Sequence, residues 1–251
     1  MTSLTAVRAL TPILVMSLLL SSCGLLSSDV AVAGWPEVDL GAQVEVYKST
    51  PERDLHLHFF RPEAIAGDSP GAVLFFHGGG FRTTRVEQFE RQAKAVAEAG
   101  MVGIVAEYRV TAEGTTRADA VADGADALAV VRANADRFAL DPGHIALAGS
   151  SAGGALAVEA TAVQLPADAL VLFNPAVGAA SAQFVVDEPT IVFHSREDTI
   201  VPFSSAEAFC IGVTDCELVA FEEGDHGFFN DDPAFTATTT QMIEFLSTHG
   251  W

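Results

Sequence analysis

Apolar positions in this chain fall into two alternating rhythms. Short continuous apolar runs cover residues 72–76, 102–106, 145–148, 169–173, 190–193 and 217–221, with the length and β-branched or aromatic content of buried strands. Between them lie stretches with helical spacing, at 86–99 with Gly100 as a stop, 117–138, 152–162, 203–209 and 235–247. Two earlier strands, 44–47 and 55–60, are predicted to meet at a Ser49-Thr50-Pro51 turn. On the second, Leu55, Leu57 and Phe59 alternate with His56, His58 and Phe60, which reads the histidines as a surface pair rather than metal ligands. The repeated strand–helix order predicts an α/β fold, with a mostly parallel central sheet, helices on both faces and right-handed crossovers.

Ahead of this pattern, Arg8 precedes an apolar stretch over 10–20 broken only by Thr11, Pro12 and Ser17. It has the length of a signal-peptide core and is short for a membrane span. Leu20-Ser21-Ser22-Cys23 follows and resembles a bacterial lipobox, making Cys23 the expected lipidation site; Ala31-Val32-Ala33 offers a competing small-x-small cleavage site. Either processing exports the protein, and a lipid on Cys23 would tether it to a membrane surface of the cell envelope. Residues 1–23 are therefore expected to be a signal peptide, 24–40 a linker containing Ser27, Ser28, Gly34 and Pro36, and 41–251 a single folded domain.

Composition adds limits. Apolar residues make up 49% of 251, enough for a sizeable core. With 33 acidic against 13 basic residues the net charge is −20, which excludes nucleic acid as a partner. In an oxidising compartment, with Cys23 set aside, Cys210 and Cys216 form an even pair that can be a disulfide, or else two buried thiols.

The chemistry concentrates in three places. Gly149-Ser150-Ser151-Ala152-Gly153 follows the strand at 145–148 and opens a helix. That context suits a strained strand-to-helix turn presenting a nucleophile, and the flanking glycines are equidistant from Ser151, not Ser150. His77-Gly78-Gly79-Gly80 ends the strand at 72–76, and the amides of Gly78, Gly79 and Ala152 are the expected oxyanion donors. His77 is read as structural. After the serine, an acid and then a histidine should follow later strands; Asp198 and His226 do so. Glu197 is the rival acid, Asp225 a loop-former, and His249 a poor base near the last residue.

The stretches AVLFFHGGG, AEYRV, DPGHIALAGSSAGG, ALVLFNPAV, PTIVFHSREDTIVPF and GDHGFFN resemble α/β-hydrolase esterases of the hormone-sensitive-lipase type and the related bacterial acetyl-esterase and feruloyl-esterase-like group. The resemblance runs over about residues 72–230. It implies the α/β-hydrolase fold, a triad at Ser151, Asp198 and His226, an oxyanion hole from the glycine loop, a structural role for Tyr108 and Arg109, and no cofactor or metal. The FC…CELV spacing around Cys210 and Cys216 is similar to that of secreted members. Two departures stand out. The acid loop begins His194-Ser195 where the family has His-Gly, and only residues 176–188 occupy the place of a cap insertion. A capless catalytic domain over 41–251 implies an open site for short acyl esters, small-molecule or polysaccharide, acetyl or feruloyl among them. A serine peptidase of the prolyl-oligopeptidase type and an inactive binding protein on the same fold are the alternatives.

Overall fold

The computed structural model describes residues 39–64, 69–185 and 187–251. The expected signal peptide, Cys23 and most of the linker lie outside the described residues. The linker's last residue belongs to the fold: Leu40 is buried beside Phe60 in the core.

Eight strands form one sheet: β1 Gln43–Ser49, β2 Asp54–Phe60, β3 Ala72–Phe76, β4 Val102–Ala106, β5 Ile145–Ser150, β6 Ala169–Phe173, β7 Thr190–Ser195 and β8 Cys216–Phe221. Their spatial order is β1-β2-β4-β3-β5-β6-β7-β8. β2 runs antiparallel to both its neighbours, and every pairing from β4 to β8 is parallel. Strands β3 to β7 are buried along their whole length, which explains their unbroken apolar runs. The Ser49–Thr50–Pro51 turn closes with Thr50 N–H donating to the Arg53 carbonyl at 3.1 Å.

Helices cover both faces. On one, α1 Glu90–Glu98 and α6 Ala234–Thr248 bury Val96, Met242 and Leu246 against Val73, Phe75 and Phe193. On the other, α2 Arg117–Ala133, α3 Ala135–Phe138, α4 Ala152–Ala160 and α5 Phe203–Gly212 bury Leu128, Leu156 and Phe209 against Leu74, Leu147 and Leu172. The helix expected over 117–138 is broken at Asn134, which leaves helical geometry (φ −113°, ψ 21°) while its side-chain amide donates to the Val130 carbonyl at 2.8 Å. The helix expected over 86–99 opens as a 3-10 turn, Val86–Phe89.

One strand-level expectation changes and the expected lack of a cap holds. His58 is buried (2%) rather than at the surface, and His56 Nδ1 and His58 Nε2 lie 3.3 and 3.1 Å from the buried carboxylate of Glu107, which Arg53 also engages. The pair thus belongs to an internal ion cluster on β2, and among the described residues no side-chain group is arranged to hold a metal. Between β6 and β7 the chain forms only the 3-10 turn Ala179–Phe184, so no cap domain is present among the described residues.

The order of the sheet matters for function. From β3 the chain steps to one side through β4 and to the other through β5. The C-terminal ends of β3 and β5 therefore flank the switch point, where open α/β sheets leave a crevice.

Candidate active site

Ser151 occupies the turn between β5 and α4 with φ 49° and ψ −118°, a conformation that side chains other than glycine rarely adopt. It persists because the surroundings leave no alternative. Ser151 N–H lies 3.2 Å from the carbonyls of Phe173 and Asn174, and its own carbonyl accepts from Ala155 and Ala176. Backbone crowding explains the flanking glycines: a Cβ on Gly153 would stand 2.1 Å from the Phe76 carbonyl, and one on Gly149 2.3 Å from that of Gly153. Ser150 is different. It is the last residue of β5, is buried, and donates its hydroxyl to Gln88 Oε1 at 3.1 Å.

The loops after β7 and β8 meet. His226 Nδ1 is 2.6 Å from Asp198 Oδ2, and Asp198 Oδ1 accepts from the amides of Ile200 and Val201 at 2.8 and 2.9 Å. The Asp198 side chain is fully buried, while that of His226 is 25% exposed. A carboxylate this close accepts a hydrogen from Nδ1 and so orients the imidazole with Nε2 turned away from Asp198. Glu197, the rival acid, instead accepts from Gly224 N–H at 3.3 Å, and Asp225 holds its own loop by accepting from Gly227 N–H at 2.8 Å. His249 bonds the Phe245 carbonyl at the end of α6.

One sequence expectation about the glycine loop needs correction. The amide of Gly78 is already committed, donating to Gln88 Oε1 at 2.6 Å, so it has no hydrogen left for an oxyanion. Among the described residues, no acceptor is paired with the amides of Gly79, Gly80 or Ala152. Gly79 and Gly80 have φ of 121° and 63°, and the Gly79 carbonyl accepts from Arg82 and Thr83, which rolls the loop into a tight turn.

A sequence profile described as alpha/beta hydrolase fold matches residues 73–211. The chain belongs to the alpha/beta-hydrolase family. The hydrolase is also similar to solved structures of a thermophilic esterase of a Planctomycetes species, Thermogutta terrifontis esterase 2. With propionate bound, that enzyme matches at a TM-score of 0.78 and 30% identity, over 84% of this chain and 95% of its own. Its tabun-phosphoramylated form gives 0.79 and 32%, over 86% and 97%, and its paraoxon-phosphorylated form 0.78 and 33%, over 84% and 95%. Among curated protein sequences, none matches the chain. The protein is a carboxylesterase-type serine hydrolase.

Around the site, the hydrolase uses supporting residues that sequence reasoning passed over. Asn174, fully buried at the end of β6, accepts from Ser195 N–H at 2.9 Å and donates to the carbonyls of His226 and Asp225 at 3.0 and 3.3 Å. Gln88 ties Gly78 to Ser150. Their signal in the sequence is slight: a polar residue directly after an apolar strand, and a glutamine on a helix. Ser195, the departure from His-Gly, donates its hydroxyl to the Gly224 carbonyl at 2.5 Å and so joins the acid loop to the histidine loop, a bond glycine cannot make. His77 is buried, with Nδ1 bonded to the Gly78 carbonyl, and burial pushes its pKa down to about 4. Tyr108 donates to the His77 carbonyl at 2.7 Å, and Arg109 forks onto the buried Asp123 through two contacts of 2.8 Å. Beside Asp198, burial pushes the pKa of His194 down, and its Nε2 lies 2.9 Å from the Val201 carbonyl.

Proposed function

We propose that the protein hydrolyses carboxylic esters through an acyl-enzyme on Ser151, with His226 as general base and acid and Asp198 as its orienting partner. The observation that carries this reading is the 2.6 Å contact between His226 and Asp198 in the loops after β8 and β7, at the same end of the parallel sheet as the strained turn that carries Ser151. Ser151 Oγ attacks the ester carbonyl carbon as its proton passes to His226 Nε2. The negative oxygen that forms is stabilised by the free amides of Gly79, Gly80 and Ala152, each contributing on the order of 3 kcal/mol. The C–O bond then breaks, the alcohol leaves with the proton from His226, and water repeats the sequence to release the acid. The positive end of the α4 dipole adds to the same stabilisation.

Short acyl groups are the preferred substrates in this reading. The connection between β6 and β7 is too short for a cap, and propionate and butyrate are the acids bound in the Thermogutta terrifontis enzyme. Acetyl or feruloyl esters of polysaccharides fit an exported enzyme, and lipidation at Cys23 would hold it at the cell envelope. Globomycin-sensitive processing and mass spectrometry of the N-terminus test that last point.

The deciding experiment compares 4-nitrophenyl acetate, butyrate, octanoate and palmitate with the protein and with Ser151→Ala. Activity that declines with acyl length and is lost in Ser151→Ala, together with stoichiometric inactivation by paraoxon, is expected. Activity retained in Ser151→Ala would sink the assignment of the nucleophile; turnover of palmitate alone would sink the acyl preference.

A further inference from the structure

The protein carries 13 basic residues against 33 acidic ones, so almost every cation finds a carboxylate. Lys48 pairs with Asp123 and Asp126, Arg53 with Glu107 and Glu113, and Arg91, Lys94, Arg109, Arg117, Arg132, Arg137 and Arg196 each have an acidic partner. Arg61 is held by Gln43 and the Phe138 carbonyl. Among the described residues this leaves Arg82 and Arg85, both exposed and without a side-chain partner.

These two flank the stretch Arg82-Thr83-Thr84-Arg85, which contains no carboxylate and follows directly on the oxyanion loop. Their backbones are fixed to the site. Arg82 N–H donates to the Gly79 carbonyl at 3.0 Å, and the Arg85 carbonyl accepts at 3.0 Å from Gln88, whose side chain holds Gly78. Two exposed cations with no carboxylate bound to them are free to engage a negatively charged ligand. A guanidinium is the side chain best suited to a planar carboxylate.

We propose that Arg82 and Arg85 form an anion subsite at the rim of the active site, and that the preferred ester carries a carboxylate in the same molecule as the scissile bond. This rests on the esterase reading above. The carboxylate can belong to the acyl group or to the alcohol, and matched pairs of substrates separate the two. For the acyl side, mono(4-nitrophenyl) adipate is compared with 4-nitrophenyl hexanoate. For the alcohol side, 4-acetoxybenzoate is compared with 4-acetoxybenzamide. The readout in each pair is the ratio of kcat/KM for the anionic ester to that for the neutral one, in the full protein and in Arg82→Gln/Arg85→Gln.

The expected result is a ratio that falls about tenfold in the double glutamine variant, through KM, and returns at least partly in Arg82→Lys/Arg85→Lys. A fall in one pair only assigns the carboxylate to that side of the ester. Ratios that stay within about twofold in both pairs, with the neutral esters turned over, overturn the subsite and leave the esterase reading intact. If the wild-type protein turns over none of the four, the esterase reading itself fails.

Discussion

Asn174 shows how much of the site depends on one buried side chain. It takes the Ser195 amide, gives its hydrogens to the His226 and Asp225 carbonyls, and its own carbonyl lies 3.2 Å from Ser151 N–H. Asn174→Ala keeps the backbone contact to Ser151 but leaves the Ser195 amide and the His226 and Asp225 carbonyls without their side-chain partner, at about 1–3 kcal/mol for each that water cannot reach. It is expected to lower thermal stability and to reduce kcat about tenfold or more with little change in KM, since the base moves and the binding surface does not. Steady-state kinetics beside a thermal melt checks this. His77 supplies a pH dependence. Its folded pKa of about 4 lies below the ordinary histidine value of 6.5. The unfolded chain therefore binds a proton at higher pH than the folded one does. Stability is fully present above pH ~6.5 and is lost as pH falls toward ~4, by about 3 kcal/mol from this residue. His77→Asn, whose amide can still donate to the Gly78 carbonyl, is expected to flatten the fall in Tm between pH 6.5 and 4.5. An unchanged slope would place the acid sensitivity elsewhere.

At the scale of elements, the sequence pattern located all eight strands and misjudged mainly their ends. Continuous apolar runs mark strands with two covered faces, and those runs survive any detail of packing. Boundaries depend on single side chains, as with Asn134, whose bond to the Val130 carbonyl ends α2 within an Ala-rich stretch that reads as one helix. The disulfide is also an element-scale device. Cys210 near the end of α5 and Cys216 at the start of β8 are joined. β8 is one of the two edge strands and leads to the His226 loop. A loop this short contributes about 2 kcal/mol by restricting the unfolded chain. Cys210→Ser/Cys216→Ser should lower Tm by roughly 4–8 °C. A shift under about 1 °C would mean that the packing of α5 alone secures β8.

For the whole molecule, a net charge of −20 makes self-repulsion a general load on the folded state. Tm is expected to rise by several degrees between about 20 and 500 mM NaCl as the repulsion is screened; a flat profile would show that weakening of the surface ion pairs cancels the relief. Sequence by itself determined the class of fold and pointed to the residues proposed to react, because strand burial and the glycine-flanked turn are written in local residue order. The order of serine, acid and histidine along the chain was equally visible. Only the tertiary structure decided which glycine amides remain free, that Asp198 and not Glu197 faces His226, that His56 and His58 share Glu107, and that Asn174 and Gln88 brace the site. Each of these depends on a hydrogen bond between segments distant in sequence, and such bonds exist only once the sheet has brought the strand ends together.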